Sequence, residues 1–579
     1  MKKITIVFFL VLYVFSQSFL PAQTKAEKID QLISKYYEYG YFNGSALVAD
    51  KGDVIFEKGY GFANMEWNIP NTPDTKFRLG SITKQFTSML IMQLVEKGMI
   101  KLDGKITDYL PYYRKDTGDK ITIHQLLTHS SGIPSYTSLP NFFQTTARTF
   151  HKPDDFIKEF CSRDLEFEPG SSFAYNNSAY FILGAIIEHV LDMPYDKALG
   201  KFIYQPLGMK NSGYDWSEEI IPNRAAGYQK TISGYKNAPF IEMALPYSAG
   251  SLYSTVRDLF VWDKAFYSNK LLSKEYWNML FAKQIKAGGI GSPYYGYGWA
   301  LDIYYNGKDS LNVITHGGSV NGFNTNNYII PQTGQIIILL NNTGSVPLGE
   351  ITNQILSILN GKETFEPKQR LAEFINKRME KDGIEAAVSM FNQLKNDKDH
   401  FRLSENDFNN LGYEYLKAEK LDEAIAVFKL NTEEYPKSYN AFDSYAEALL
   451  KKGEKEEAIK NYKKSLELNP SSQSGINALK DLGIEVETAK DISVSVEVLN
   501  QYAGEYQLAP NFVITITVID EKIFAKATGQ PQFEIFPESE TKFYLKVVEA
   551  KIEFVKESGK VTKLMLFQNG REMPAKKIE

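Results

Sequence analysis

The sequence predicts a multidomain chain with an α+β domain over residues 25–360, an α-helical repeat segment over 401–488 and a small antiparallel β barrel or sandwich over 495–579. Three observations predict this. Strand-forming runs stand at both ends of the first segment with helical patterns between them. A 34-residue period of small and aromatic positions runs through the second. Short β runs separated by tight turn signals fill the third.

At 579 residues the chain is too long for one ordinary domain. Hydrophobic residues make up 43% and aromatics 13%, enough for packed cores rather than a disordered chain. A net charge of −5 with mixed signs gives no electrostatic basis for nucleic-acid binding. Residues 1–22 read as a cleaved signal peptide, with Lys2 and Lys3, an apolar run from Ile4 to Phe15, and Phe19-Leu20-Pro21-Ala22 approaching a small-residue site. That run is short of the roughly 20 residues that span a bilayer, so no stable membrane anchor is expected after cleavage and the protein is expected in the periplasm or secreted. Cys161 is the only cysteine, which rules out a disulfide within the chain. Six histidines, with His124 and His129 five apart, offer no metal-binding pattern, and no cofactor is expected.

In the first domain, a helix over Ala26–Tyr37 precedes two β-rich runs flanking an Asp50-Lys51-Gly52-Asp53 turn, the mark of a hairpin. Later strand runs are Tyr297–Tyr304, Leu311–Thr315, Asn326–Ile330 and Ile336–Leu340, implying one antiparallel sheet built from both ends of the segment. Between them, Arg78-Leu79-Gly80-Ser81-Ile82-Thr83-Lys84 leads into an apolar-periodic buried helix. With Ser81 in the first helical turn, Lys84 at i+3 shares its face. The first turn also offers unpaired N–H donors that favour negative charge. Hydroxyl, amine and free N–H groups are the parts of an activated serine nucleophile.

Two further stretches carry polar groups at element junctions. Glu168-Pro169-Gly170 turns into Phe173-Ala174-Tyr175-Asn176-Asn177 ahead of a helix over Tyr180–Leu191, where Asn176 or Asn177 can serve as cap. Val313-Ile314-Thr315-His316-Gly317-Gly318-Ser319 delivers a histidine at a strand end, followed by glycines that admit a close backbone approach.

The ordered set Ser81-x-x-Lys84, Tyr175-x-Asn177 and His316-x-Gly318 resembles the serine β-lactamase and penicillin-binding-protein superfamily. The likeness is to the branch shared by class C β-lactamases, DD-carboxypeptidases, D-aminopeptidases and related esterases. Leu126-Leu127-Thr128-His129-Ser130-Ser131-Gly132, Phe167-Glu168-Pro169-Gly170, Ala249–Leu259 and Tyr297-Gly298-Trp299 extend it over residues 30 to 360. The resemblance implies that Ser81 attacks a carbonyl carbon to form an acyl-enzyme, with Lys84 and Tyr175 as proton-transfer partners. Either of the two is the base, and a cation beside Tyr175 is expected to favour its phenolate. Asn177 is implied to bind substrate and steady Lys84. The oxyanion is expected between the backbone N–H groups of Ser81 and Ser319, with His316 and Gly318 on the substrate. Class C β-lactamases carry lysine at the His316 position, and histidine is fully charged only below its pKa of about 6.5, which weakens the case for β-lactam hydrolysis.

Residues 361–400 read as a helical linker or degenerate repeat. Beyond them, Ala424 and Ala458, Phe428 and Tyr462, and Pro436 and Pro470 are each 34 apart. The pattern resembles tetratricopeptide repeats, with Gly483 ending a closing helix over Gln473–Leu482. Such helices either offer a concave surface to a protein or peptide partner or pack as a spacer on the first domain. In the last segment Tyr502-x-Gly504-x-Tyr506 and the β runs from Phe512 to Gln568 resemble the small β domain often appended to these serine hydrolases. The expected function is an exported serine hydrolase acting on an amide or ester: a D-amino-acid peptide, a peptidoglycan-like molecule or a small ester. The alternatives are a true β-lactamase and a non-catalytic protein that works through its repeats.

Overall fold

The structure is a computed structural model that describes residues 23–578 apart from 288–290, 308, 345, 486–493, 510–511, 529, 531, 546–547, 549, 558 and 569–570. The expected signal peptide lies outside the described residues. No helix among the described residues is long and apolar enough to cross a membrane.

The first domain is built on one eight-stranded antiparallel sheet. Its strands are β1 (Gly44–Asp50), β2 (Asp53–Tyr60), β3 (Ile285–Lys286), β4 (Tyr294–Tyr295), β5 (Ala300–Asn306), β6 (Asp309–Val320), β7 (Phe323–Ile330) and β8 (Gln335–Asn341), ordered β3-β4-β5-β6-β7-β8-β1-β2. The two ends of the segment meet where β1 pairs with β8, Leu47 opposite Ile338. Strands β1 and β8 are buried on both faces, so they are nearly continuous apolar runs rather than alternating ones.

Alternate residues of these strands serve two cores. Ala46, Val48, Ile337 and Leu339 pack under helices α1 (Lys25–Glu38) and α4 (Leu348–Leu359). Leu47, Ala49, Ile336, Ile338 and Leu340 face the larger core, which holds helices α2 (Thr83–Glu96) and α3 (Asn177–Leu191). Helix α1 starts on a full capping box: the Thr24 hydroxyl accepts from Glu27 N, and the Glu27 carboxylate accepts from Thr24 N. Helix α2 is buried from Thr83 to Leu94, the central helix the periodicity predicts.

Three local expectations are corrected. Ser81 lies in a 3₁₀ turn, Gly80–Ile82, that feeds into α2 rather than in the α-helix itself; Gly80 holds a left-handed φ of 55° to make the turn. Helix α3 begins at Asn177, not Tyr180, because the Asn176 side chain accepts from Ala179 N and caps it. Strand β6 runs on through His316 to Val320 instead of ending at Thr315, since Gly317, Gly318 and Ser319 pair with Asn326, Thr325 and Asn324 of β7.

Helical pairs follow from Leu371 to Asp481. The 34-residue pattern has its packing reason: a Cβ on Gly412 would meet the Phe428 ring at 2.5 Å, and Ala424, Ala446 and Ala458 are wholly buried. Ser404 and Ser438 cap two of these helices, and Gly483 takes a φ of 75° after the last one. These helices share an apolar cluster with Ile232 of the first domain, so this face of the repeat segment is a packing surface. The C-terminal unit is a closed eight-stranded barrel, Gly504–Ala509 through Arg571–Lys577, rather than a sandwich. Closure leaves no sheet edge, and Tyr502, Tyr506, Phe543 and Phe554 fill the centre.

Candidate active site

Lys84 is the centre of the site. It is wholly buried on α2, and its ammonium lies 3.1 Å from Ser81 Oγ, 2.9 Å from Asn177 Oδ1 and 2.9 Å from the Ala249 carbonyl. All three partners are neutral. Burial therefore acts unopposed by any carboxylate and drives the lysine pKa well below its usual value. The spacing of Ser81 and Lys84 along one helical face accounts for the first contact; the other two come from α3 and from a turn at Tyr247–Gly250 that sequence spacing does not connect.

Tyr175 sits beside them. Lys84 Nζ is 4.9 Å from its ring centroid, and its hydroxyl is buried with no hydrogen-bond partner among the described residues. The expectation that the neighbouring cation favours the phenolate is corrected. Burial raises the Tyr175 pKa, and only the nearby Ser81 hydroxyl works in the opposite direction. With Lys84 itself pushed toward its neutral form, there is little cation to offset that burial. Tyr175 stays a phenol.

His316 projects from β6 into the same cluster, its ring centroid 6.1 Å from that of Tyr175. Its Nδ1 contacts the Gly317 carbonyl at 2.6 Å, so it carries the proton there, and Nε2 accepts from Tyr295 Oη at 3.0 Å. Burial lowers its pKa to about 4, leaving a neutral imidazole at neutral pH. Gly318 lines a cavity beside Ser81 and also has a packing reason. A Cβ there would fall 1.9 Å from the Leu79 carbonyl oxygen, so the glycine lets the turn carrying Ser81 lie directly on β6. Gly80 meets the other side of this contact, since its Cβ would stand 2.7 Å from Ser319 N. The predicted residues Ser81, Lys84, Tyr175, Asn177, His316, Gly318 and Ser319 thus converge from three separate stretches of chain.

Sequence reasoning gave His129 and Tyr295 no role, yet both stand behind the site. His129 accepts from Asn176 N through Nδ1 at 3.0 Å, and its ring centroid is 4.4 Å from Tyr175 and 4.8 Å from Tyr295. Burial lowers its pKa well below the ordinary value and holds it neutral. Its left-handed φ of 56° is unusual for a non-glycine residue and is the one local oddity marking it.

Two cavities flank Ser81. One, of about 570 Å³, is walled by Tyr136, Phe142, Phe143, Ile241, Leu245 and Phe323 and reaches Asn177 and Ser319. The other, of about 610 Å³, passes Tyr175, His316 and the glycines and ends on polar groups that include Asp302, Asn324 and Asn326. Neither is lined by a described arginine or lysine side chain. The edge of β6 beyond Thr315 has no strand partner on the β5 side among the described residues, because β5 begins at Ala300 opposite Thr315. It faces the second cavity.

This arrangement agrees with comparisons to known proteins. Residues 29–357, more than half the chain, match the model of the Beta-lactamase family. The chain belongs to that family. Residues 439–472 match the tetratricopeptide repeat, and residues 488–577 match a domain of unknown function (DUF3471). Over 341 residues the chain is 30% identical to PbpX of Bacillus subtilis (strain 168), named for penicillin binding, covering 58% of this chain and 80% of that one. A penicillin-binding protein from Bacillus halodurans superposes with a TM-score of 0.50 at 26% identity, over 56% of this chain and 98% of that one. A D-amino acid amidase from Ochrobactrum anthropi SV3 shares the fold, with a TM-score of 0.51 at 23% identity, over 57% of this chain and 98% of that one. This β-lactamase-family chain is therefore a serine-hydrolase-like protein followed by tetratricopeptide helices and a β barrel.

Proposed function

We propose that this β-lactamase-family chain is an exported serine hydrolase, periplasmic or secreted, acting on an uncharged amide or ester through an acyl-enzyme at Ser81. The observation that carries the reading is a buried lysine with three neutral partners, one of them the Ser81 hydroxyl. Burial lowers the pKa of such a lysine and favours the free amine with its lone pair, whereas it raises that of Tyr175 and favours the phenol. Lys84 Nζ takes the Ser81 proton as Oγ bonds to the carbonyl carbon. The oxyanion is stabilised by the backbone N–H groups of Ser81 and Ser319. The carbon–nitrogen or carbon–oxygen bond then breaks, and the proton held on Lys84 passes to the leaving group by way of the Tyr175 hydroxyl. Water reverses these steps, releasing the acid and free Ser81. Asn177 fixes Lys84 and faces the cavity.

A substrate carboxylate finds no lysine or arginine among the described lining residues, and His316 is neutral. This disfavours the β-lactamase alternative and favours acyl groups without charge that fill the aromatic cavity. N-Acetyl-D-phenylalanine amide, an uncharged amide with an aromatic side chain for that cavity, and p-nitrophenyl butyrate are suitable first substrates. Ser81→Ala should abolish turnover of whichever is accepted while leaving the circular dichroism spectrum and melting temperature close to wild type. Full activity in that variant would falsify the assignment.

A further inference from the structure

We infer that Glu414, in the repeat segment, is a positioning residue that fixes one wall of the Ser81 cavity and thereby sets which acyl groups fit; the inference rests on the hydrolase reading above. The wall is a short hairpin, Tyr228–Lys230 paired with Tyr235–Asn237. Tyr228 and Gln229 line the cavity that opens on Ser81. The hairpin is rooted at the end of β8, where Tyr228 N and Lys230 N donate to the carbonyls of Asn342 and Thr343 at 2.9 and 3.0 Å. With three paired positions, it is too small to hold its place by itself.

Its tip is held by the repeat helices instead. The backbone N–H groups of Ile232 and Ser233 both donate to the Glu414 carboxylate, at 3.0 Å to Oε1 and 2.9 Å to Oε2. These are charge-assisted bonds to two adjacent donors, stronger than neutral ones. The Ile232 side chain is buried in the apolar cluster of Leu371, Ala372, Ile375 and Leu411. On the flank, Lys230 Nζ lies 3.4 Å from Glu373, which also faces Arg370 at 3.6 Å. A second tie joins the same bodies: Arg370 N donates to Tyr41 Oη at 2.6 Å.

Three residues separate Gln229, on the cavity, from Ser233, on Glu414. Displacement of the tip therefore reaches the wall directly. Among the described residues, the hydrogen bonds and ion pairs of the clamp share no partner with those of Ser81 and Lys84, so the bond-making step is insulated from it. Chemistry and substrate fit are separable on this geometry. The helices that resemble a partner-binding module thus have an inward function, and movement of the repeat segment would be felt at the cavity.

The test uses the full-length protein, with p-nitrophenyl acetate and p-nitrophenyl phenylacetate as small and bulky acyl donors. Glu414→Ala should shift the ratio of their KM values threefold to tenfold while kcat for the acetate stays within twofold. Glu414→Gln, which keeps one acceptor, should fall between. Amide hydrogen exchange, read independently of activity, should rise in Glu414→Ala at residues 228–229 as well as at the tip. An unchanged KM ratio with turnover still dependent on Ser81, or faster exchange confined to residues 232–233, would overturn the clamp and leave the hydrolase reading standing. If Ser81→Ala keeps wild-type turnover, the hydrolase reading fails, and the exchange measurement still decides whether Glu414 holds the wall.

Discussion

Replacing Gly318 with alanine should disable the site through backbone displacement alone. The added methyl would stand 1.9 Å from the Leu79 carbonyl oxygen and 2.5 Å from Thr325 Oγ1, two groups already joined by a 2.8 Å hydrogen bond. Neither is the free end of a flexible side chain. To restore van der Waals contact, β6 and the Leu79–Ser81 turn must part by about 1.5 Å, and a misplacement of even ~1 Å typically costs ~10²-fold in rate. The same parting separates the N–H groups of Ser81 and Ser319, and loss of one oxyanion donor costs roughly 10²–10³ in kcat. Gly317→Ala is the internal control, because a Cβ there meets only the Thr325 carbonyl at an ordinary 3.5 Å. Steady-state ester hydrolysis of both variants, with melting temperatures alongside, should show Gly318→Ala slowed about 10²-fold or more and Gly317→Ala near wild type. Wild-type kcat in Gly318→Ala, or equal damage in both variants, would refute the reasoning.

Two further outcomes follow from the buried titratable groups. Lys84 has a depressed pKa in the folded chain, so between that value and 10.5 the unfolded chain binds the proton the folded one does not, and the lysine costs stability at pH 7. Lys84→Met should therefore abolish turnover yet raise the melting temperature; a lower melting temperature with activity retained would contradict both halves. His316, at about 4 against the ordinary 6.5, leaves the folded state short of a proton throughout that interval. Stability should fall as pH drops from 6.5 toward 4, by up to ~3 kcal/mol from this residue. Urea midpoints of the wild type and His316→Gln at pH 7 and 4.5 measure it, and an equal loss in the variant would show that His316 is not responsible.

Much of this molecule was legible in its sequence because the deciding interactions are periodic. Ser81 and Lys84 meet through helical spacing, Gly412 and Phe428 through the repeat, and β1 and β8 through matching apolar runs. What escaped depends on contacts between distant segments. The Ala249 carbonyl that completes the Lys84 cradle is 165 residues away, and Glu414 reaches Ile232 across 182. The continuation of β6 through two glycines runs against strand propensity and is explained by pairing with β7 and by the Leu79 carbonyl packed on Gly318. The ionisation of Tyr175 was misjudged for a related reason: a lysine next to it suggests a phenolate, but both groups are buried together, and burial decides.

The most direct test of the account is the intact mass of the protein after brief exposure to p-nitrophenyl butyrate and, separately, to a penicillin, with Ser81→Ala treated in parallel. The account predicts a single butyryl adduct that maps to the peptide containing Ser81, is absent from the variant and decays as the ester turns over, with the penicillin the poorer acylating agent. An adduct that persists in Ser81→Ala, or ester turnover undiminished in that variant, would contradict it.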